Sequence, residues 1–103
     1  EGRIKEYPCI LGRSRECQIV IREKAKDGEY HCSRKHLRIS QVNQKFKVER
    51  LPKSGEEIVK MEAIADKMRY QDTVVYFKKE FKVRITNDIM LILKKAEMKT
   101  RNL

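Results

Sequence analysis

The sequence predicts an all-β protein, a two-sheet antiparallel β-sandwich built from many short strands. Apolar residues alternate with polar ones in several stretches, among them Phe46 to Val48 and Phe81 to Ile85, which is typical of strands with one buried face. Turn signals separate these stretches: Asp27-Gly28, Asn43-Gln44, residues 52–55, Lys78-Lys79 and Asn87-Asp88. The length of 103 residues suits one domain, and a hydrophobic content of 40% suffices for a modest core.

Each predicted element follows from its local pattern. Alternating strands are expected around residues 18–21, 37–39, 45–49 and 81–85. The dense apolar run at residues 73–77 predicts a strand covered on both faces. Residues 62–68 have a helical composition but are few, so they predict a loop with at most one helical turn. Residues 89–98 fit either a last strand or a helix capped by Asn87 or Asp88.

We therefore expect one domain over residues 1–103, with a core at about residues 4–86 and a C-terminal strand or helix and basic tail at 87–103. The absence of an initial Met indicates a piece of a longer chain, in which this would be a monomeric domain. The apolar run at residues 89–93 is far shorter than the ~20 residues that span a bilayer, so no membrane partner is expected.

The charge balance points to anionic partners. Lys and Arg number 25 and Asp and Glu 15, which gives a net charge of +10; such a surface attracts nucleic acid, anionic membranes or phosphorylated and acidic protein segments. The three cysteines, Cys9, Cys17 and Cys32, lack paired spacing and predict free buried thiols in a reducing compartment. The nucleus is the expected location, with the cytoplasm as the alternative.

Two separated segments carry the residue types of an anion site. Gly12 permits close backbone approach at a strand end, and Arg13 adds a planar fork of donors that suits phosphate or carboxylate. Farther along the chain, Ser33 offers a hydroxyl in a turn, and Arg34 and Lys35 add positive charge. If the two loops converge, Arg13, Ser33 and Arg34 form a small anion pocket.

With these residues the chain resembles the forkhead-associated (FHA) domain family. That family has Gly-Arg at the end of an early strand, then Ser-Arg-x-His before an alternating strand. The likeness runs from about Ile10 to Ile85, and its main matches are Gly12, Arg13, Ser33, Arg34, His36, Leu37 and Ile39. The resemblance implies an FHA/SMAD-like sandwich whose loops at one end bind a phosphothreonine-containing protein.

The resemblance also implies roles for individual residues. Arg13 and Ser33 would contact the phosphate, and Arg34 would support it. Lys53 and Ser54 would face the peptide, Ser54 standing where the family has an Asn that hydrogen-bonds the peptide backbone. The structural residues would be Gly12, His36 and Gly55, with His36 holding the loops by hydrogen bonds.

The chain departs from the family pattern next to these residues. Ser54 is shorter than Asn and offers fewer hydrogen bonds. Glu56 follows Gly55, where a Thr is frequent, and Glu57 comes next. A carboxylate aimed at a phosphate repels it. These two glutamates favour an alternative, an FHA-like sandwich that binds proteins independently of phosphorylation.

A second alternative is a basic β-fold that binds nucleic acid. Residues 76–84 interleave aromatic and basic side chains, as readers of single strands do, although the alternation favours Phe81 and Val83 in the core and the lysines in water. The basic tail at residues 94–101 is expected to be a solvated end, with weak non-specific affinity for nucleic acid or a nuclear-import signal as the alternatives.

Metal binding and catalysis are not expected. His31, Cys32 and His36 lie close in sequence, but the chain has no paired Cys spacing of the zinc type. It also lacks a nucleophile signature with an orienting group. The sequence thus predicts a non-enzymatic, cofactor-free phosphothreonine-binding module of a nuclear signalling or transcription regulatory protein.

Overall fold

The computed structural model describes residues 3–22, 32–52, 59–86 and 89–95. Within these ranges the chain forms strands and no helix, and hence no helix that could span a membrane. The strands are β1 Cys9–Gly12, β2 Ile19–Val20, β3 Leu37–Val42, β4 Lys45–Arg50, β5 Met61–Ala65, β6 Met68–Asp72, β7 Val74–Phe77, β8 Glu80–Arg84 and β9 Met90–Lys94.

The strands form two sheets, with the orders β2-β1-β3-β4-β7 and β6-β5-β8-β9. Among the described strands every pairing is antiparallel except the short β1–β2 pair, which is parallel. The predicted all-β, two-sheet sandwich is therefore confirmed.

The core lies between the sheets and follows the predicted alternation. Val48 on β4 and Phe81 and Val83 on β8 are buried, whereas Lys45 at the start of β4 is exposed. Three stacked rings fill one end of this core: Phe46 lies 5.1 Å from Phe77, and Phe77 lies 5.4 Å from Phe81, between centroids. Such pairs add packing energy beyond the area they bury.

The prediction of a loop at residues 62–68 is wrong, because this segment belongs to the β5–β6 hairpin. Alternate residues of β5 are buried, and those between them are exposed. Asp66 and Lys67 form the turn with positive φ angles of 49° and 72°, as tight hairpin turns require. Composition favoured a helix, but burial of alternate side chains against the core overrides this weak propensity.

The prediction that residues 73–77 are covered on both faces is also wrong. Strand β7 is an edge strand of the five-stranded sheet, paired only with β4. Val75 and Phe77 face the core, while Tyr76 is 48% exposed. The density of β-branched and aromatic residues therefore reflects strand propensity and not two-sided burial.

The ambiguity at residues 89–98 is resolved for its first part. Residues 90–94 form strand β9, which pairs with β8 and half-buries Leu91 and Leu93. Residues 96–98 lie outside the described part of the chain, as do the turn signals Asp27-Gly28 and Asn87-Asp88. The predicted turns at Asn43-Gln44 and Lys78-Lys79 are confirmed.

The register brings three sequence-distant points to one end of the sandwich. Leu11, at the end of β1, pairs with Leu37 at the start of β3, and Leu37 pairs with Arg50 at the end of β4. The segments 12–14 and 33–36 therefore leave the five-stranded sheet side by side. We call this the loop end; the opposite end, with the turns at Asp66-Lys67 and Lys78-Lys79, is the turn end.

Candidate anion-binding site

Backbone hydrogen bonds join the two loops that the sequence singled out. The N–H of Arg13 donates to the carbonyl of Ser33 at 2.9 Å, and the N–H of Ser14 donates to that of Arg34 at 3.0 Å. The N–H of His36 in turn donates to the carbonyl of Leu11 at 2.8 Å. The structure thus brings Arg13, Ser33 and Arg34 together at the loop end.

Gly12 allows this close approach. A Cβ on Gly12 would lie 2.8 Å from the carbonyl carbon of Arg34 and 2.9 Å from the amide nitrogen of His36, and closer still to the carbonyl oxygen of Arg34. These are backbone atoms held in hydrogen bonds, so no rotamer change could make room. Any larger residue at position 12 would push the loops apart.

The side chain of His36 forms a hydrogen bond within the second loop, residues 33–36. The side chain is only 5% exposed, and its Nδ1 accepts a hydrogen bond from the N–H of Ser33 at 3.1 Å. Burial, reinforced by the positive charge of Arg50, lowers the pKa of His36 to about 4. The imidazole is therefore neutral at pH 7, which leaves Nδ1 able to accept.

Arg50 is a site residue to which the sequence analysis gave no role. Its guanidinium donates to the carbonyl of Leu51 at 2.8 Å and to that of His36 at 3.1 Å. It also makes a long bond of 3.4 Å to the Oγ of Ser33. Burial lowers the pKa of Arg50, but an arginine keeps its charge in proteins.

A signal in the sequence could have found Arg50. In the alternation of β4, Phe46 and Val48 face the core, and Arg50 continues the same parity. A charged residue at a core-facing strand position requires polar partners. Here these partners are the carbonyls of His36 and Leu51 and the Ser33 hydroxyl.

Cys17 fastens the turn that follows Arg13. Its Sγ donates to the carbonyl of Arg34 at 3.2 Å, and its N–H donates to the carbonyl of Ser14 at 3.1 Å. Burial raises the pKa of the Cys17 thiol, so the thiol keeps the proton that this contact needs. Cys9, Cys17 and Cys32 are all free and buried, as predicted.

The predicted phosphate-contacting residues line one surface depression of about 790 Å³. Arg13 is half-buried, and its Nε donates to the carbonyl of Cys32 at 3.3 Å. Ser33 is 8% exposed, whereas Arg34 and Lys35 are exposed. The described lining residues are Arg13, Ser14, Arg15, Glu16, Arg22, Ser33, Arg34, Lys35 and Pro52.

This lining is strongly positive. Among the described residues it contains five Arg and Lys side chains and one carboxylate, that of Glu16. Guanidinium groups, a hydroxyl and positive charge in one depression are the means by which proteins bind phosphate and carboxylate groups. The arrangement therefore suits an oxyanion.

Several residues of the sequence prediction lie outside the described part of the chain. They are His31, Lys53, Ser54, Gly55, Glu56 and Glu57. Their predicted roles stay predictions. In the described ranges, no group of three or more His, Cys, Asp or Glu side chains could hold a metal ion.

The aromatic and basic segment at residues 76–84 mainly serves the core. Phe77 and Phe81 are buried, whereas Lys78 and Lys79 are exposed. Within this segment Tyr76 is the one aromatic side chain that reaches solvent, opposite Lys47 on β4. The segment at residues 76–84 therefore presents no row of exposed rings on which successive bases could stack.

The chain was also compared with protein-family models, curated proteins and solved structures, and none of these comparisons gives a match.

Proposed function

We propose that the chain is an FHA-type domain that binds phosphothreonine-containing protein segments. The observation that supports this proposal most strongly is the meeting of Arg13 and Ser33. The Arg13 amide is hydrogen-bonded to the Ser33 carbonyl, and both side chains line the same positive depression. The Ser-Arg and Gly-Arg segments that suggested the family are thus neighbours in space.

The site chemistry matches a phosphate ester. A phosphothreonine carries a charge of about −1.5 to −2 at neutral pH, which Arg13 and Arg34 can balance. Because Arg50 donates to the Oγ of Ser33, the hydroxyl proton of Ser33 is left to donate to the ligand. Two or three charge-assisted bonds of roughly 1.5–3 kcal/mol each, reduced by the cost of ordering the peptide, fit a micromolar complex of about −8 kcal/mol.

The setting in the cell is a further part of the proposal. Three free buried cysteines are consistent with a reducing compartment. The net charge of +10 favours binding to acidic or phosphorylated partners. We therefore propose a nuclear signalling or transcription regulatory protein. The partner supplies the phosphothreonine, and the domain supplies no catalysis.

The test begins with an oriented phosphopeptide array probed with the wild type and with Arg13→Ala. The best peptide is then measured by calorimetry with and without its phosphate. We expect micromolar binding of the phosphopeptide, no measurable binding of the unphosphorylated peptide, and loss of binding in Arg13→Ala. Arg69→Ala, on exposed strand β6, is the matched control and should bind as the wild type does.

Two outcomes would contradict the proposal. Equal affinity for both forms of the peptide would indicate binding independent of phosphorylation. Tighter binding of a single-stranded oligonucleotide, falling steeply with salt, would indicate a nucleic-acid-binding domain instead. Thermal unfolding is the control for Arg13→Ala: a midpoint equal to that of the wild type would show that the loss of binding does not come from a loss of fold.

A further inference from the structure

The positive charge of the described lining of the depression exceeds what one phosphate can balance. Its described lining carries five cations against the single carboxylate of Glu16, whereas a phosphothreonine brings a charge of about −1.5 to −2. Once Arg13 and Arg34 are assigned to that phosphate, Arg15, Arg22 and Lys35 remain. Glu16 balances one of these three, so two positive charges are left over among the lining residues that the structure describes.

On the faces of the two sheets, in contrast to the depression, carboxylates lie beside the cations. On the five-stranded sheet Glu49 lies 3.1 Å from Arg38 and 3.8 Å from Lys47, and on the other sheet Glu80 lies 3.3 Å from Lys82. There the sequence places carboxylates next to cations on the same or the neighbouring strand. At the depression it gathers cations around a recess, where like charges raise the local potential and attract an anion.

The excess charge lies on both joined loops. The bond from the Ser14 amide to the Arg34 carbonyl sets the two loops side by side. Arg15 and Lys35 each follow a residue of this bond along the chain, both are exposed, and both line the depression. They are thus placed next to the Arg13 and Ser33 position without being part of it.

From these observations we infer that the segment bound at this site carries a second anionic group close to its phosphothreonine, and that Arg15 and Lys35 contact it. The group is a second phosphorylated residue or a carboxylate, which share the chemistry that guanidinium and ammonium groups recognise. This inference rests on the proposed function and names the class of ligand more narrowly.

The experiment compares peptides of one backbone that differ only in charge. One carries phosphothreonine between neutral residues, a second adds a nearby phosphoserine, and a third adds a glutamate in its place. A fourth carries the glutamate without any phosphate. We expect the phosphoserine peptide to bind about tenfold more tightly than the first and the glutamate peptide about threefold, because exposed ion pairs contribute modestly.

A double variant, Arg15→Gln with Lys35→Gln, tests the assigned residues. It should lose most of the gain from the second anion, measured as the ratio of its own affinities for the peptide with and without that anion. The matched control is Lys67→Gln with Arg69→Gln, which removes the same charge from exposed positions on the β5–β6 hairpin. The control should keep the gain, which separates a local contact from the net charge of the domain.

The outcomes separate this inference from the proposed function. If the phosphorylated peptides bind but the second anion adds nothing, or if both double variants lose the gain equally, the inference is wrong and the proposed function stands. If the fourth peptide binds as tightly as the first, or no phosphopeptide binds at all, both are wrong. An oligonucleotide that outcompetes the doubly phosphorylated peptide would overturn both in favour of nucleic acid.

Discussion

The two ends of the sandwich differ in how their charged side chains are balanced. At the turn end the carboxylate of Asp66 accepts hydrogen bonds from the backbone N–H groups of Lys78, Lys79 and Glu80, at 2.7, 2.8 and 3.1 Å. Burial acts to raise the pKa of Asp66, but these donors outweigh it and hold the pKa below its ordinary value. At the turn end, therefore, the backbone donors are occupied by a carboxylate of the chain itself, that of Asp66.

At the loop end the described side chains leave a surplus of positive charge. His36 and Arg50 form hydrogen bonds with backbone groups of the loop end, while a single described carboxylate lines the depression against five cations. The same chain thus places an internal carboxylate among backbone donors at one end and leaves the described lining of the other end positive. The Asp66 contacts stabilise the turn end, and under the proposed function the positive depression receives the ligand.

The largest expected effect comes from breaking the contact between the loops. Gly12→Ala places a Cβ against the Arg34 and His36 backbone, so the loops must separate and lose the bonds that join them. We expect the free energy of unfolding to fall by about 3 kcal/mol in urea denaturation. Ser40→Ala on strand β3, away from this contact, should stay within about 0.5 kcal/mol of the wild type. An unchanged Gly12→Ala protein would refute the close approach.

The pH dependence of stability should be of similar size. The pKa of His36 is about 4 in the fold against an ordinary 6.5, so between these values the unfolded chain binds a proton that the folded chain does not. The free energy of unfolding should therefore decrease as the pH falls from about 6.5 to about 4, by up to about 3 kcal/mol. Protonation would also remove the acceptor of the Ser33 N–H.

Histidine variants separate this titration from others. His36→Gln should abolish the slope above pH 4.5, whereas His31→Gln, which changes the other histidine of the chain, should keep it. Below about pH 4.5 the paired carboxylates Glu49 and Asp66, whose pKa values are lowered, add their own loss of stability on acidification. A titration of His36 near 6.5 in the folded protein, followed by NMR, would contradict the burial of its ring.

The turn end offers the smallest and most specific effect. Asp66→Ala removes the acceptor of three backbone N–H groups at a position with positive φ. We expect a loss of about 2 kcal/mol, and about 1 kcal/mol for Asp66→Asn, which keeps one oxygen and tolerates that φ. Both variants should bind the array-selected phosphopeptide within about twofold of the wild type. A larger loss of affinity would mean that the ends are coupled.

Local patterns predicted much of the fold. Alternation alone located the strands around Leu37, Phe46 and Phe81, since one-sided burial leaves a direct trace in the sequence. It failed at residues 62–68, where helical composition concealed an alternation of small buried residues, and at Tyr76, whose exposure depends on β7 lying at a sheet edge. Edge position is a property of the assembled sheet and not of the segment.

The candidate site was predictable only in part. Arg13, Ser33 and Arg34 were chosen by residue type and by the FHA resemblance, and the structure places them together. Arg50 was not found, because its role requires the register that sets it beside Leu37 and below Ser33. The side-by-side exit of the two loops likewise depends on β1 pairing with β3, a long-range contact that local patterns do not encode.

We propose that a phosphothreonine peptide docks between the two joined loops at the loop end of the sandwich. Amide chemical shifts measured during titration with the array-selected phosphopeptide test it most directly. We predict that the signals of Arg13, Ser14, Ser33 and Arg34 shift on addition of the phosphorylated form, while those of Lys78, Lys79 and Glu80 at the turn end stay in place. Shifts confined to the turn end or a sheet face, or equal shifts with the unphosphorylated peptide, would contradict it.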